Sequence, residues 1–296
     1  HCGGRHDRAH NRAYNRAHGR AHGRAHGRAG MSAIAALFRA SWILATSYRL
    51  QFLLSLGALL ATVVPLYFVA NALQPTMAGA IAGEGGSFFA FTLLGVLSTT
   101  LIIAAMRAPS TAISGGIGTG TLELMLSLPT PSWVVFTGLM SFDAAQAALR
   151  ALLLVGSGLL LGVSVVWSHV VPGLVVLGLT VLAYFGVGLL AAAMVVAFRT
   201  SGPLLGGVMS VSSLLGGVYF PTHVIPSWVA RVSEVIPLTY GLRATRRLWL
   251  GGAPLATVAA DVAVLSGMAV VLCAAGTWAL RSTLRDARRR GSLGQY

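Results

Sequence analysis

Residues 151–198 read ALLLVGSGLLLGVSVVWSHVVPGLVVLGLTVLAYFGVGLLAAAMVVAF, bounded by Arg150 and Arg199, with no Asp, Glu, Lys or Arg between them. A helix needs about 20 apolar residues to cross hydrocarbon, so the run is too long for one crossing. Trp167-Ser168-His169 and Pro172-Gly173 interrupt it, which predicts a hairpin of two spans. The same signal recurs at 50–71, at 88–106, at 201–220, where Gly and Ser are frequent as on helix-packing faces in membranes, and at 257–280. The expectation is an all-α polytopic membrane protein with six transmembrane helices and both termini on one side. The composition agrees: 55% of residues are hydrophobic and 9% charged, against roughly 25% charged in a soluble domain.

All 21 basic residues are Arg. Without lysine there is no Walker A motif and no Schiff base, so the chain cannot itself be a P-loop ATPase. Cys2 and Cys273 lie at opposite ends, indicating neither a disulfide framework nor a zinc cluster. Past residue 30 the acidic residues are Glu84, Glu123, Asp143, Glu234, Asp261 and Asp286, and the histidines are His169 and His223. No two of them form a helical metal-ligand pair, and no Ser-His-Asp set stands out. A catalytic site, a metal and a cofactor held by this chain are therefore not expected. Asp261 falls near the outer end of the sixth span. It is either an intramembrane carboxylate or a headgroup-level residue beside Arg246 or Arg247.

Residues 1–30 repeat Arg-Ala-His-Gly and hold seven of the Arg and six of the eight His. With almost nothing apolar to bury, a disordered tail is expected, and Met31 stands directly before a plausible membrane-protein start. Its removal lowers the net charge from +14 to +8, and nucleic-acid binding loses its main support. The segment 31–281 is then the transmembrane domain, followed by a basic tail at 282–296.

Arg residues near span ends set the orientation. With the N-terminus inside, Arg39, Arg49, Arg107, Arg150, Arg199, Arg281, Arg285, Arg288, Arg289 and Arg290 are inner, and Arg231, Arg243, Arg246 and Arg247 are outer. Cytoplasmic termini in an inner or plasma membrane follow. The outer four all lie between spans five and six, so that loop is expected to be structured. In 31–49, Ile34, Leu37, Phe38, Trp42, Ala45 and Tyr48 share a face, predicting an interfacial amphipathic helix; an early start of span one is the alternative.

The inner loop, about 107–143, opens on an uncharged Ser114-Gly115-Gly116-Ile117-Gly118-Thr119-Gly120 stretch expected to be flexible. In Thr121-Leu122-Glu123-Leu124-Met125-Leu126-Ser127-Leu128, Thr121 can cap a short helix, Glu123 suits its first turn, and Pro129 stops it. Leu122, Met125 and Leu126 form an apolar stripe that needs a cover, either the protein's own bundle or a partner. The outer loop reads Gly217-Val218-Tyr219-Phe220-Pro221-Thr222-His223-Val224-Ile225-Pro226-Ser227-Trp228, then Ile236-Pro237-Leu238-Thr239-Tyr240-Gly241-Leu242-Arg243-Ala244. These runs are too apolar for water and too short to span. They predict re-entrant helices broken at Pro221, Pro226 and Pro237, with Tyr219, Phe220, Trp228 and Tyr240 at an outer gate or anchoring the loop in the interface.

In these two loops, and over Met31 to Arg281, the chain resembles the permease subunits of type-2 ABC exporters (ABC-2), the daunorubicin-resistance and polyol or polysaccharide export group. The resemblance implies an interfacial N-terminal helix. It also implies a cytoplasmic coupling helix at Thr121, Leu122, Glu123, Met125 and Leu126 that docks on a separate ATP-binding subunit, and outer re-entrant helices after span five. ATP and Mg would sit on that partner, a second permease copy would complete a homodimer or heterodimer, and the cargo would be a drug, lipid or glycan-like amphiphile. The competing function is an ion-coupled secondary transporter using Asp261.

Overall fold

The computed structural model describes residues 49–118, 132–198, 200–221 and 226–289. The tail 1–30, the expected interfacial helix before Arg49, the whole 121–128 segment, His223 and residues 290–296 lie outside the described residues.

The described residues are helical, without strands. The helices are α1 (Arg49–Met77), α2 (Phe88–Gly118), α3 (Ser132–Leu160), α4 (Val170–Phe198), α5 (Gly202–Leu215), α6 (Ser227–Ser233), α7 (Pro237–Trp249) and α8 (Leu255–Arg289), with 3-10 turns at Ala82–Glu84 and Trp167–His169. Among the described residues, four segments are long and apolar enough to cross a membrane: Phe88–Gly115, Asp143–Leu160, Trp167–Phe198 and Leu255–Ala287. Hydrocarbon supplies no water to backbone amides, so continuous helix is the form these runs must take.

The two ends of the bundle differ. At one end the turn Ala82–Glu84, the α3–α4 turn and the end of α7 meet: Val166 donates its amide to Trp249 O at 2.9 Å, and Glu84 lies beside Arg246. At the other, Ile113 of α2 packs with Ala192 and Val195 of α4 and with Leu280 of α8. We call these the hairpin end and the loop end. α4 is the axis, packed against α2, α7 and α8.

Small residues, rather than an apolar driving force, let these helices approach in lipid. A Cβ at Gly186 would stand 2.5 Å from the Leu272 carbonyl carbon, one at Gly276 2.5 Å from Gly186 O, and one at Gly188 2.6 Å from Met106 O. The α1–α2 turn is pinned differently. Gln74 Nε2 donates to Gly86 O at 2.7 Å, while the Phe88 amide, otherwise an orphan of the α2 N-terminus, donates to Gln74 Oε1 at 2.7 Å.

The structure corrects three expectations. The fifth span, expected at 201–220, is a helix only over Gly202–Leu215, too short to be counted as a span. The chain turns at Gly216 and at Gly217, whose φ is +79°, a conformation glycine adopts without strain. The inner loop is shorter than 107–143, because charge was read as the end of a helix. α2 continues past Arg107 to Gly118 and α3 begins before Asp143. The glycine-rich stretch from Ser114 is helical as far as Gly118. Arg107 and Arg150 accordingly lie within helices rather than beside them.

Gly186→Ala should destabilise the bundle by about 1–3 kcal/mol, as overpacking does, because its neighbours are backbone atoms of α8. Gly178→Ala, on the same helix with nothing within 4 Å, should be neutral or stabilising. Thermal unfolding in one detergent separates the two, and equal effects would mean that the α4–α8 approach is not tight.

Candidate functional site

Between α5 and α8 the chain inserts a helical hairpin into the bundle. α6 starts after Pro226, and the α6–α7 turn closes through Thr239 Oγ1 donating to Ser233 O at 2.7 Å and the Ile236 amide donating to Ser233 O at 3.1 Å. Pro237 occupies the first turn of α7, where its missing N–H costs nothing.

α7 runs antiparallel to α4, and its contacts mark the depth. Leu238 packs with Ile102, Met106 and Tyr184, midway along α2 and α4. Gly241 lies against Thr180, where a Cβ would meet the threonine hydroxyl. Trp249 covers Gly173 and donates its indole N–H to Val170 O at 3.2 Å. The helix therefore begins at mid-bundle and climbs to the hairpin end. A helix start placed so deep leaves amides in need of acceptors. The Tyr184 hydroxyl faces the Leu238 amide and donates to Ser212 Oγ of α5 at 2.6 Å, so one buried tyrosine ties α4, α5 and α7.

Arg246 holds the hairpin from above. Its residue is 2% exposed. Nη1 donates to Gly217 O at 2.8 Å, and Nη2 donates to Phe91 O at 3.0 Å and Val218 O at 3.1 Å. The guanidinium carbon stands 3.3 Å from the Phe91 ring centroid, and Nη1 is 3.6 Å from Glu84 Oε2. The carbonyls left free where α5 breaks are thus taken up by a planar fork, a task for which arginine is suited and lysine is not. One side chain joins α7, the α5 break, the start of α2 and the Ala82–Glu84 turn.

The half-exposed stripe of α7 is Tyr240, Arg243 and Arg247. Arg243 Nη2 lies 3.4 Å from Asp261 Oδ1 and Arg247 Nη1 3.8 Å from Oδ2, with the Arg243 guanidinium 5.1 Å over the Tyr240 ring. Asp261 therefore stands at the hairpin end of α8, engaged by two arginines. Of the two arginines expected beside it, Arg247 is a partner and Arg246 is not; Arg243 takes that place.

The expected gate residues divide. Tyr219, Phe220, Pro226 and Trp228 are exposed, Trp228 at 67%; Pro221 and Pro237 are buried; Tyr240 is half-buried against Arg243. Thr121, Leu122, Glu123, Met125 and Leu126 lie outside the described residues. Sequence reasoning missed Arg246 with its partners Glu84 and Phe91, and Tyr184 with Ser212. Its one signal was the excess of outer arginine. Three of the four exceptions to the charge rule are consumed by the fold: Arg246 by carbonyls and Glu84, Arg243 and Arg247 by Asp261. Among the described residues no cluster of His, Cys, Asp and Glu could hold a metal.

A helical bundle with apolar spans and a hairpin folded into one end defines a polytopic membrane protein. The ABC-2 type transporter family matches residues 32–249, and the chain belongs to that family. The match ends on the last residue of α7, so the inserted hairpin lies inside it and α8 beyond it. No curated protein matches the chain. The family assigns it to the permease component of an ABC transporter, a transport component that generally has no catalytic site of its own.

Arg246→Met keeps the volume but strands Gly217 O, Val218 O and Glu84. Breaking a buried charged network this way costs about 3–5 kcal/mol, and Arg246→Lys, which keeps the charge without the fork, should fall between. Thermal unfolding in nanodiscs measures both; a loss for Arg246→Met below that of a surface substitution would show that the hairpin is held without its arginine.

Proposed function

We propose that this chain is the membrane-spanning permease subunit of an ATP-driven exporter for a drug, lipid or glycan-like amphiphile. In this reading the chain passes six times between the two ends, the fifth passage being shared by the short α5 and the α6–α7 hairpin, with both termini cytoplasmic, and it pairs with a second permease copy. The single observation that carries the reading is the family match over 32–249. Permease domains of this family typically work with an ATP-binding subunit, and a chain without lysine needs one to supply energy.

The docking segment of this reading is 121–128, with Thr121 as cap, Glu123 orienting, and Leu122, Met125 and Leu126 as the apolar contact. Its setting supports the role. α2 runs on for about three turns past Arg107, and α3 starts as far before Asp143, so the segment joins two helices that reach beyond their last intramembrane charges. A push on that loop acts on both helices at once. The interfacial helix at 31–49, the disordered tail and a functional start at Met31 belong to the same proposal. So does an outer gate at Tyr219, Phe220, Pro221, Pro226, Trp228, Pro237 and Tyr240.

Changing Leu122 and Met125 to Ser should leave the permease inserted while it loses its ATPase partner and its export. Each fully buried side chain is worth roughly 1.5–3 kcal/mol, so affinity should fall by about a decade or more. Pull-down at wild-type yield with intact export would remove the docking helix.

The ion-coupled alternative needs Asp261 free to titrate within the membrane, and the two arginines beside it speak against that. Asp261→Asn should keep export, with a stability cost of about 1 kcal/mol or less for a partly exposed pair. Loss of export by a stably folded variant, measured as cargo flux in vesicles, would bring the ion-coupled reading back.

A further inference from the structure

The uncharged run 262–280 of α8, between Asp261 and Arg281, is about 28 Å long, the thickness of a hydrocarbon core. It provides a ruler for the other helices. Gly186 lies against Leu272 and Cys273 and faces Gly276, so the middle of that run is level with Ala183 and Tyr184 of α4. Tyr184 packs with Ile102 of α2. Gly158 lies against Leu93, and Leu154 shares a core cluster with Leu97, which carries the register from α2 to α3. Arg150, one turn before Leu154, is then level with Leu101, at the middle of the membrane zone.

Arg150 is exposed there. Its Nη2 donates to Gln146 Oε1 at 3.4 Å, so the guanidinium leans one turn toward the loop end without leaving the zone. Asp143, Gln146 and Arg150 follow at three and four spacing on one face of α3. Arg107 of α2 lies close enough to attract Asp143, and that carboxylate is about 10 Å along the helix from Arg150. Glu84 and Asp261 belong to the hairpin end and Asp286 lies beyond Arg281, while Glu234, in the α6–α7 turn next to Ile236, stands near mid-bundle on the α5 and α7 side rather than against α3. Among the described residues no carboxylate therefore pairs with Arg150. Lipid tails cannot solvate an exposed arginine at this depth, and such residues face water or a partner of opposite charge.

We propose that the Gln146–Arg150 face of α3 is an oxyanion-binding track, open from the loop end to mid-membrane, that takes the phosphate or carboxylate headgroup of an amphiphilic cargo. The guanidinium fork suits either anion in two-point contact, Gln146 adds an amide, and the Arg107–Asp143 pair marks the mouth. The track deepens the permease reading and rests on it, since a transport path is what brings water and cargo to this depth.

The test uses the full chain in nanodiscs with Cys2→Ser and Cys273→Ala as background and a membrane-impermeant thiosulfonate as probe. Gln146→Cys should react faster than Leu152→Cys, which is 69% exposed on the same helix, by about tenfold, since only a hydrated thiol forms the reactive thiolate. Replacing phosphatidylcholine by phosphatidylglycerol should slow the Gln146→Cys reaction several-fold, and adding Arg150→Gln should abolish that protection. Protection by phosphatidylglycerol alone assigns the anion to a lipid-like headgroup; equal protection by inorganic phosphate in phosphatidylcholine assigns it to a soluble anion, and both support the track. The proposal is overturned if Gln146→Cys is as slow as Leu152→Cys, if protection survives Arg150→Gln, or if mild oxidation links Gln146→Cys chains into dimers. None of these readings uses the ATPase, so a chain that captures no ATPase but shows the protected cysteine loses the exporter reading and keeps the site.

Discussion

A buried arginine that leaves water must find its partners in the protein, and this requirement organises the hairpin end of the molecule. Arg246 meets it with three main-chain carbonyls, one carboxylate and one aromatic face. Two of the carbonyls, Gly217 O and Val218 O, lie past the end of α5 at Leu215, and Pro221 has no N–H with which a longer helix could have bonded Gly217 O. The break and the arginine are therefore one device. Without the guanidinium the break would expose unpaired carbonyls to an apolar interior.

The second constraint is contact distance. α4 carries buried Gly and Ala along most of its length, and neighbouring backbones come in against Gly186 and Gly188. Dispersion and shape, not release of water, hold such helices together in lipid. A single axis helix with small faces can accept α2, α7 and α8 at once. It also fixes their relative heights, and so places Tyr184 where α7 needs a cap and Arg150 at the level it occupies.

The elements legible in the sequence are those that lipid dictates. The spans read at 88–106, in the 151–198 hairpin and at 257–280 all lie in long helices, because nothing else satisfies that much apolar backbone. Where one helix ends was harder to read. Apolar continuity over 201–220 hid the turn at Gly216-Gly217, because hydropathy carries no information about φ. Arg107 and Asp143 look like helix ends in a hydropathy pattern, yet a charged side chain can lean away from hydrocarbon while its backbone stays helical. For the hairpin, the cluster of Pro and Gly gave the element and the excess of outer arginine gave its importance. The partner Glu84 and the acceptor at Phe91 are distant in sequence from Arg246, and no local pattern announces them.

Among the described residues the two ends of the bundle are held with unequal strength. At the hairpin end, a large core containing Phe88, Phe89, Phe91, Leu248 and Trp249 is reinforced by Arg246, by Asp261 between two arginines, and by the Gln74 bonds to Gly86 and Phe88. At the loop end the described core is Ile113, Ala192 and Val195, and α2, α3 and α8 run on past it. Local opening costs least where few apolar contacts are lost. In the proposed permease, a push at the loop end would spread the helix ends there before it disturbs the hairpin, with the Arg246 network as the fulcrum. In that geometry the Asp143–Gln146–Arg150 face lies between the part that yields and the part that holds, so small displacements of α2 against α3 widen or narrow it without breaking the core.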